Sequence, residues 1–290
     1  MHALRLSARR PMLAIVPFLV IVLPGRAHAQ TVNHLYDKLQ FGVQGSDVIL
    51  SSTIQVDAES GPAGTDFELA DVGLSSGGIT WAANAFWRPG RRHEIDLGFV
   101  DIGRSGEKVL TDTINIGDTS FAAGLRVNTK MDAPTLQMSY RFAFLAKEKV
   151  KVGFVLGLGA LFFSLDANAV AGATAGGADT SIVQFGASTS VIGPTASLGV
   201  FAAFRAGNHW YFNVDAGGIG ARISNIGVSS WRGIAEAQYY FTDHWAALGA
   251  WSIIGDKISA ESDTGGWIDF KGSLKFSFQT IRLGMIYALH

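Results

Sequence analysis

The chain has 290 residues, of which 48% are hydrophobic and only 16% charged, with 35 Gly, 7 Pro and no Cys. Charge this low with glycine this abundant excludes a disordered chain or a coiled coil, and the missing cysteines exclude disulfide scaffolds, thiolate metal sites and cysteine nucleophiles. A formal net charge of −1 offers no basic surface for nucleic acid.

The first segment reads as an export signal. Arg5, Arg9 and Arg10 come without an acid, an apolar run follows from Pro11 to Leu23, and Ala27-His28-Ala29 supplies a small-x-small cleavage site. The apolar run is shorter than the ~20 residues needed to span a bilayer, so cleavage of residues 1–29 is expected, with Gln30 first in the mature chain. Removing four arginines from the 23 basic residues, and no acid from the 24, leaves a balance of −5. Beyond residue 30 there is no window of 18 uninterrupted apolar residues, so no transmembrane helix is predicted.

The mature chain shows alternation of period two in place of long apolar runs. Residues 38–57 open it. Ile79, Trp81, Ala83, Ala85 and Trp87 then alternate with Thr80, Asn84 and Arg88, and Ile95, Leu97 and Phe99 alternate with Glu94, Asp96 and Gly98. Leu136 to Phe144, Val152 to Leu158, Ala196 to Phe204, Trp210 to Val214 and Trp231 to Phe241 continue it. Trp245 to Ile253 is less regular, and Ile281, Leu283, Met285, Tyr287 and Leu289 end it. Four short polar turns, 88–92, 146–149, 206–209 and 242–244, alternate with long connections. That asymmetry predicts an antiparallel up-and-down transmembrane β-barrel, with short turns on the periplasmic side and long loops outside. The count is ten strands, with eight the alternative.

Trp87, Phe142, Phe144, Phe204, Trp210, Phe212, Tyr239, Phe241 and Trp245 gather near the short turns, which predicts an interfacial aromatic belt. A soluble barrel alternates too, but it has no use for aromatics collected at one rim. Residues 104–131 read as a hairpin projecting outside the membrane. Residues 167–190, rich in Ala, Gly, Ser and Thr, read as an outer loop, with surface contact the alternative use.

Phe86-Trp87-Arg88-Pro89-Gly90-Arg91-Arg92-His93-Glu94, Arg104-Ser105-Gly106, Ile116-Gly117-Asp118-Thr119 with Phe121, and Ser139-Tyr140-Arg141-Phe142 carry a family likeness. So do Gly64-Thr65-Asp66-Phe67-Glu68 and Asp71-Val72-Gly73-Leu74. With these the chain resembles uncharacterised proteobacterial outer-membrane β-barrel proteins over most of its mature length. The resemblance implies fold and location and assigns no catalytic residue. The end, Tyr287-Ala288-Leu289 followed by His290, departs from the usual outer-membrane signal by placing Leu where the final aromatic stands.

Outer-membrane hydrolases pair His with Ser, Asp or Glu near the outer rim. Here His93, His209 and His244 fall in short turns and His34 and His290 near the ends, so all five are expected on the periplasmic side. Asp57, Glu59, Asp66, Glu68 and Asp71 in the first long loop, and Asp256, Glu261, Asp263 and Asp269 in the last, lack the spacing of a calcium site and read as solvated. No catalytic, cofactor or metal residue is assigned. The face opposite the apolar set collects Arg88, Glu94, Asp96, Arg141, Arg205, Asp215, Arg232, Glu236 and Arg282. On the lipid face each Arg would cost ~2–4 kcal/mol near the midplane, so the set is expected to line and close the lumen, with Arg88, Glu94 and Arg205 possible at the rim.

The sequence therefore predicts a signal at 1–29 and one barrel domain at 30–290, exported to the outer membrane and structural or narrow-channel in role. A surface-binding barrel using 104–131 and 167–190 is the alternative, and an outer-membrane hydrolase the weakest reading. The expected partners are outer-membrane lipid, lipopolysaccharide and, during biogenesis, the barrel-assembly machinery. No nucleic-acid partner is expected, and the residues do not address oligomeric state.

Overall fold

The computed structural model describes residues 32–57, 64–116, 118–172, 182–223, 226–260 and 272–290. The expected signal peptide, and Glu59, Glu261, Asp263 and Asp269, lie outside the described residues, as does the middle of the 167–190 loop. Ten long antiparallel strands close on themselves: β1 (Leu39–Val56), β3 (Gly77–Gly90), β4 (His93–Val100), β9 (Thr135–Lys147), β10 (Val150–Gly172), β11 (Ile182–Ala206), β12 (Trp210–Ile223), β13 (Ile226–Tyr240), β14 (Trp245–Ala260) and β15 (Gly272–Leu289). The seam joins β1 to β15, with Leu39 opposite Leu289 and Val56 opposite Gly272. Closure leaves no free edge where these ten strands pair with one another.

Tight turns at 91–92, 148–149, 207–209 and 241–244 define one end. At the other end the strands overshoot. β10 runs 23 residues and β11 runs 25, where ~9–11 tilted residues suffice to cross a bilayer. Side-chain polarity shows where the crossing stops. Along β15 the outward positions near the short turns are Ile281, Leu283, Met285, Tyr287 and Leu289, while farther out they are Ser273, Lys275, Ser277 and Gln279. The inward positions change in the opposite sense, from Thr280 and Arg282 to Leu274, Phe276 and Phe278. β1 repeats the inversion, with Gln40, Gln44 and Ser46 inward at one end and Val48, Leu50, Ile54 and Val56 inward at the other. An overshooting strand thus serves two solvents. Near the short turns it is apolar outside and polar inside, and beyond about Asp47 and Gln279 it is patterned like a water-soluble barrel.

Trp87, Phe144, Phe204, Phe241 and Trp245 stand exposed around the short turns, and Trp81, Trp231 and Trp251 farther up the same apolar band. The belt at the short turns thus has a counterpart at the opposite boundary, the double girdle of a membrane-spanning barrel.

The 104–131 region differs from a freely projecting hairpin. β5 (Gly103–Val109) and β8 (Arg126–Asp132) form a hairpin, but β8 lies along the outer part of β10, with Asp132 opposite Ser164 and Arg126 opposite Val170. Its tip, carrying the small pair β6 (Ile114–Ile116) and β7 (Thr119–Phe121), buries Leu110, Ile114, Ile116 and Phe121 in the barrel's outer half. The first long loop does the same: β2 (Phe67–Glu68) and a 3₁₀ turn (Leu69–Val72) bury Phe67, Leu69, Val72 and Leu74. Reciprocal hydrogen bonds hold the two segments together, from Thr65 N to Asn115 O at 3.2 Å and from Asn115 N to Thr65 Oγ1 at 3.1 Å. At their crossing Gly73 has φ 84°, and a Cβ on Gly106 would run into the Gly73 carbonyl, so neither position has room for a side chain. An apolar segment over an apolar barrel interior has no better place to be, which is why a stretch that reads as projecting folds inward.

Candidate functional site

The interior is layered from the short-turn end outward. At the mouth a 3₁₀ turn (His34–Tyr36) plugs the opening. Tyr36 Oη donates to Lys147 O at 2.7 Å and Asn33 Nδ2 to Glu148 O at 2.7 Å, pinning the plug to the 148–149 turn. His34 is buried, its ring parallel to that of Tyr240 at 3.5 Å and edge-on to Tyr211 at 5.3 Å. Asp37, 1% exposed, sits against both ends of the chain: its Oδ2 lies 2.9 Å from His34 Nδ1 and its Oδ1 lies 2.9 Å from His290 Nδ1. Burial alone would raise the Asp37 carboxyl, but the hydrogen bond and charge of His34, the Gln40 amide and the Arg88 charge outweigh it and hold Asp37 below its ordinary value.

Above the plug lies an ionic layer. Glu94, 3% exposed, is its first node: Arg88 Nε donates to it at 3.0 Å, Lys151 Nζ also bonds it, and Arg141 Nη1 approaches to 4.0 Å. Asp215, 1% exposed, is the second, accepting from Arg141 Nη2 at 2.8 Å, with Arg232 Nε at 3.3 Å. Arg141 therefore bridges the two nodes, and its guanidinium packs over the Phe86 and Phe201 rings at 5.2 and 5.5 Å. Register accounts for the first node, since Glu94 and Arg141 face each other across β4 and β9. Arg88 Nη1 also reaches Asp37 O at 3.0 Å and Lys151 Nζ reaches Leu35 O at 3.1 Å, which locks the ionic layer onto the plug.

Beyond the ionic layer is a chamber of about 130 Å³ with a mixed lining, in which Gln44, Asn84, Asp96, Glu236, Asp256 and Arg282 share the wall with apolar side chains such as Phe86, Phe99, Ile234 and Phe278. Asp96 Oδ1, Asn213 Oδ1, Asp256 Oδ1 and Arg282 Nε are buried there without a protein partner among the described residues. These buried polar atoms are where water can be held, whereas the apolar part of the wall offers it no partner. The apolar cap described above then closes the outer half, centred on Leu50, Phe67, Phe121, Phe163 and Phe276.

The nine charged residues singled out from the sequence divide among these layers. Arg88, Glu94, Arg141, Asp215 and Arg232 are brought together in the ionic layer. Asp96, Glu236 and Arg282 line the chamber, with Glu236 Oε1 accepting from Gln238 Nε2 at 2.6 Å. Arg205 stands at the rim, donating to Gly207 O and Asn208 Oδ1 within its own turn. Lys151 completes the first node and is missing from that set. Its parity signals it, opposite Val152 and Phe154, but its place two residues after a turn makes it read as rim. All five described histidines lie at the short-turn end, with His93 on Tyr140 Oη at 2.7 Å and His209 Nδ1 on Tyr240 O at 2.8 Å.

No protein-family model matches the chain, and neither does any curated protein. Solved structures do. The outer membrane protease OmpT from Escherichia coli superposes with a TM-score of 0.55 at 11% identity, over 88% of this chain and 97% of that one. The outer membrane protein OprG from Pseudomonas aeruginosa gives a TM-score of 0.34 at 11% identity, over 88% and 98%. A FadL homologue from Pseudomonas aeruginosa gives 0.33 at 10% identity, over 89% and 92%. At these identities the likeness is one of fold. The chain has the closed, antiparallel ten-stranded barrel of outer-membrane proteins.

Proposed function

We propose that this protein is an integral outer-membrane barrel of structural type, exported by its N-terminal signal, that does not conduct solutes in its resting state. One observation carries the reading: the lumen is blocked in series by the plug at 34–36, the buried ionic layer of Glu94 and Asp215, and the apolar cap. Ions crossing a narrow lumen would have to displace paired charges and then enter a water-excluding core, each step costly in a low-dielectric interior. Planar-bilayer recording on the refolded protein tests this. The baseline should stay flat at potentials where open porins give steps, and reproducible unitary conductance would overturn the reading.

We do not extend the proteolysis of the Escherichia coli neighbour to this chain. The described histidines stand at the plugged end, away from the overshooting strands where an extracellular substrate would arrive. Replacing His93, His209 and His244 together by Asn should therefore leave any peptide- or lipid-cleaving activity of the purified protein unchanged.

A second reading has its own support. β5, β8 and the outer part of β10 stand beyond the lipid band and frame an open polar groove lined by Glu107, Asn128, Lys130, Asp166 and Asn168. A hydrophilic surface held this far from the bilayer suits extracellular contact. Deleting the β5–β8 hairpin should then abolish any cell or ligand adhesion while the barrel still assembles.

A further inference from the structure

At the plugged end, the residues flanking the seam converge. Asp37 precedes β1 by two residues, His290 follows β15, and His34 lies in the plug. One donor atom from each falls within 4.8 Å of the others. We propose that His34, Asp37 and His290 form a binding site for a divalent transition-metal ion, with zinc the ion the donors suit best, and that the ion fastens the two ends of the barrel together across the seam.

The argument rests on hydrogen-bond bookkeeping. His290 Nε2 lies 2.8 Å from Asp243 O, an acceptor, so Nε2 carries the proton. In the neutral ring Nδ1 then holds a lone pair, yet it points at Asp37 Oδ1 from 2.9 Å, another acceptor. Two lone pairs at that distance require a positive charge between them, which either a second ring proton in a His290–Asp37 ion pair or a metal ion supplies. An imidazole whose far nitrogen is held by a carbonyl is also the usual state of a metal-bound histidine. Gln40 Nε2 at 3.0 Å and Tyr240 Oη at 3.3 Å orient the Asp37 carboxylate from its other side, as bound carboxylates require.

His34 supplies the third donor. Its Nδ1 faces Asp37 Oδ2, and its Nε2 is buried with no partner among the described residues. With no acceptor at Nε2, the bond to Asp37 puts the neutral ring's proton on Nδ1, and a metal ion bound at Nδ1 would displace that proton to Nε2. Metal bonds of about 2 Å put ligand atoms roughly 3–4 Å apart, so separations of 2.9 Å need only slight opening. Two imidazoles and one carboxylate, with a position left for water, is a donor set that zinc accepts. His290 is the accessible edge, 30% exposed in its side chain, whereas Asp37 is enclosed, so an ion can enter from the periplasmic side.

The test uses untagged mature protein, folded in detergent and stripped with a chelator, then titrated with zinc chloride by calorimetry. One ion per barrel should bind, the unfolding temperature should rise, and X-ray absorption should show nitrogen and oxygen ligands only. His290→Asn should weaken binding at least about tenfold, and Asp37→Asn should abolish it, while His93→Asn leaves it unchanged. Because Asp37→Asn could fail to fold, His290→Asn is the deciding variant, its fold checked by the mobility shift on boiling. Absence of saturable binding in the wild-type protein overturns the proposal. So does equal binding by folded His290→Asn, which would place the ion on other histidines. So does a thermal shift that follows pH alone and is the same with and without zinc, which would make the cation a proton.

Discussion

At the scale of single residues, the ionic layer is governed by how few anions serve how many cations. Asp215 is shared by Arg141 and Arg232, and Glu94 by Arg88, Lys151 and Arg141. Removing Glu94 strands Arg88 and Lys151, and removing Asp215 strands Arg232, whereas removing one cation leaves each acid with another partner. Asp215→Asn should destabilise the barrel by about 3–5 kcal/mol, the cost of an uncompensated buried charge. Lys151→Met should cost clearly less, because Arg88 and Arg141 still face Glu94 and the methionine keeps the packed stem. The temperature at which the folded gel band converts to the unfolded one measures both; equal losses would refute this ranking. Parity against neighbouring apolar residues is enough to put Glu94, Asp96, Arg141, Asp215 and Arg232 on one face from sequence. It does not reveal which of them meet, because Arg141 reaches Asp215 through the lumen from a strand three positions round the barrel. Nor does it reveal the meeting of His34, Asp37 and His290, which depends on ring closure bringing β15 beside β1.

At the scale of the element, the overshooting strands, β1, β10 and β15 among them, carry a boundary where their two faces exchange polarity. Sequence alternation finds the strands, since a period of two survives the exchange. It cannot by itself tell which face is inward, because Phe276 and Leu283 are both apolar and of opposite parity. That ambiguity is also why the 104–131 segment reads as projecting: its apolar residues match an apolar interior that only the folded outer half creates. The boundary is open to a direct test. Leu283→Arg, in the lipid band, should cost ~2–4 kcal/mol, and Gln279→Arg, at its upper edge, ~0–1 kcal/mol. Folding titrations into phospholipid bilayers measure the pair, and similar values would show the boundary misplaced. Gly106→Ala should push β5 off the Gly73 carbonyl and loosen the cap while leaving the lipid-facing part intact. Faster proteolysis at 64–76 in an otherwise heat-modifiable barrel would register it.

At the scale of the whole molecule, the seals act in series, so breaching one should not open the barrel. Replacing Arg141 and Lys151 by Ala should thin the ionic layer yet leave bilayer recordings flat, since the cap still excludes water. Deleting the cap segments 64–76 and 110–125 should do likewise, since the charges and plug remain. Only the combined variant should pass current. Conductance from either single breach would mean that the remaining layers leak.

The exchange of polarity along the strands also divides the thermodynamics of the molecule. Leaving water for an apolar interior carries a large heat-capacity change and weakens on cooling, and that process takes place in the half beyond the lipid band, where Leu50, Phe163 and Phe276 are withdrawn from solvent. In the other half the apolar side chains leave water for hydrocarbon only as the strands close, since an unpaired strand cannot stay in lipid, so that gain belongs to assembly of the whole barrel. The outer half, by contrast, can open locally while the barrel stays in the bilayer. Chilling should then relax that half first, while the portion within the membrane holds its shape.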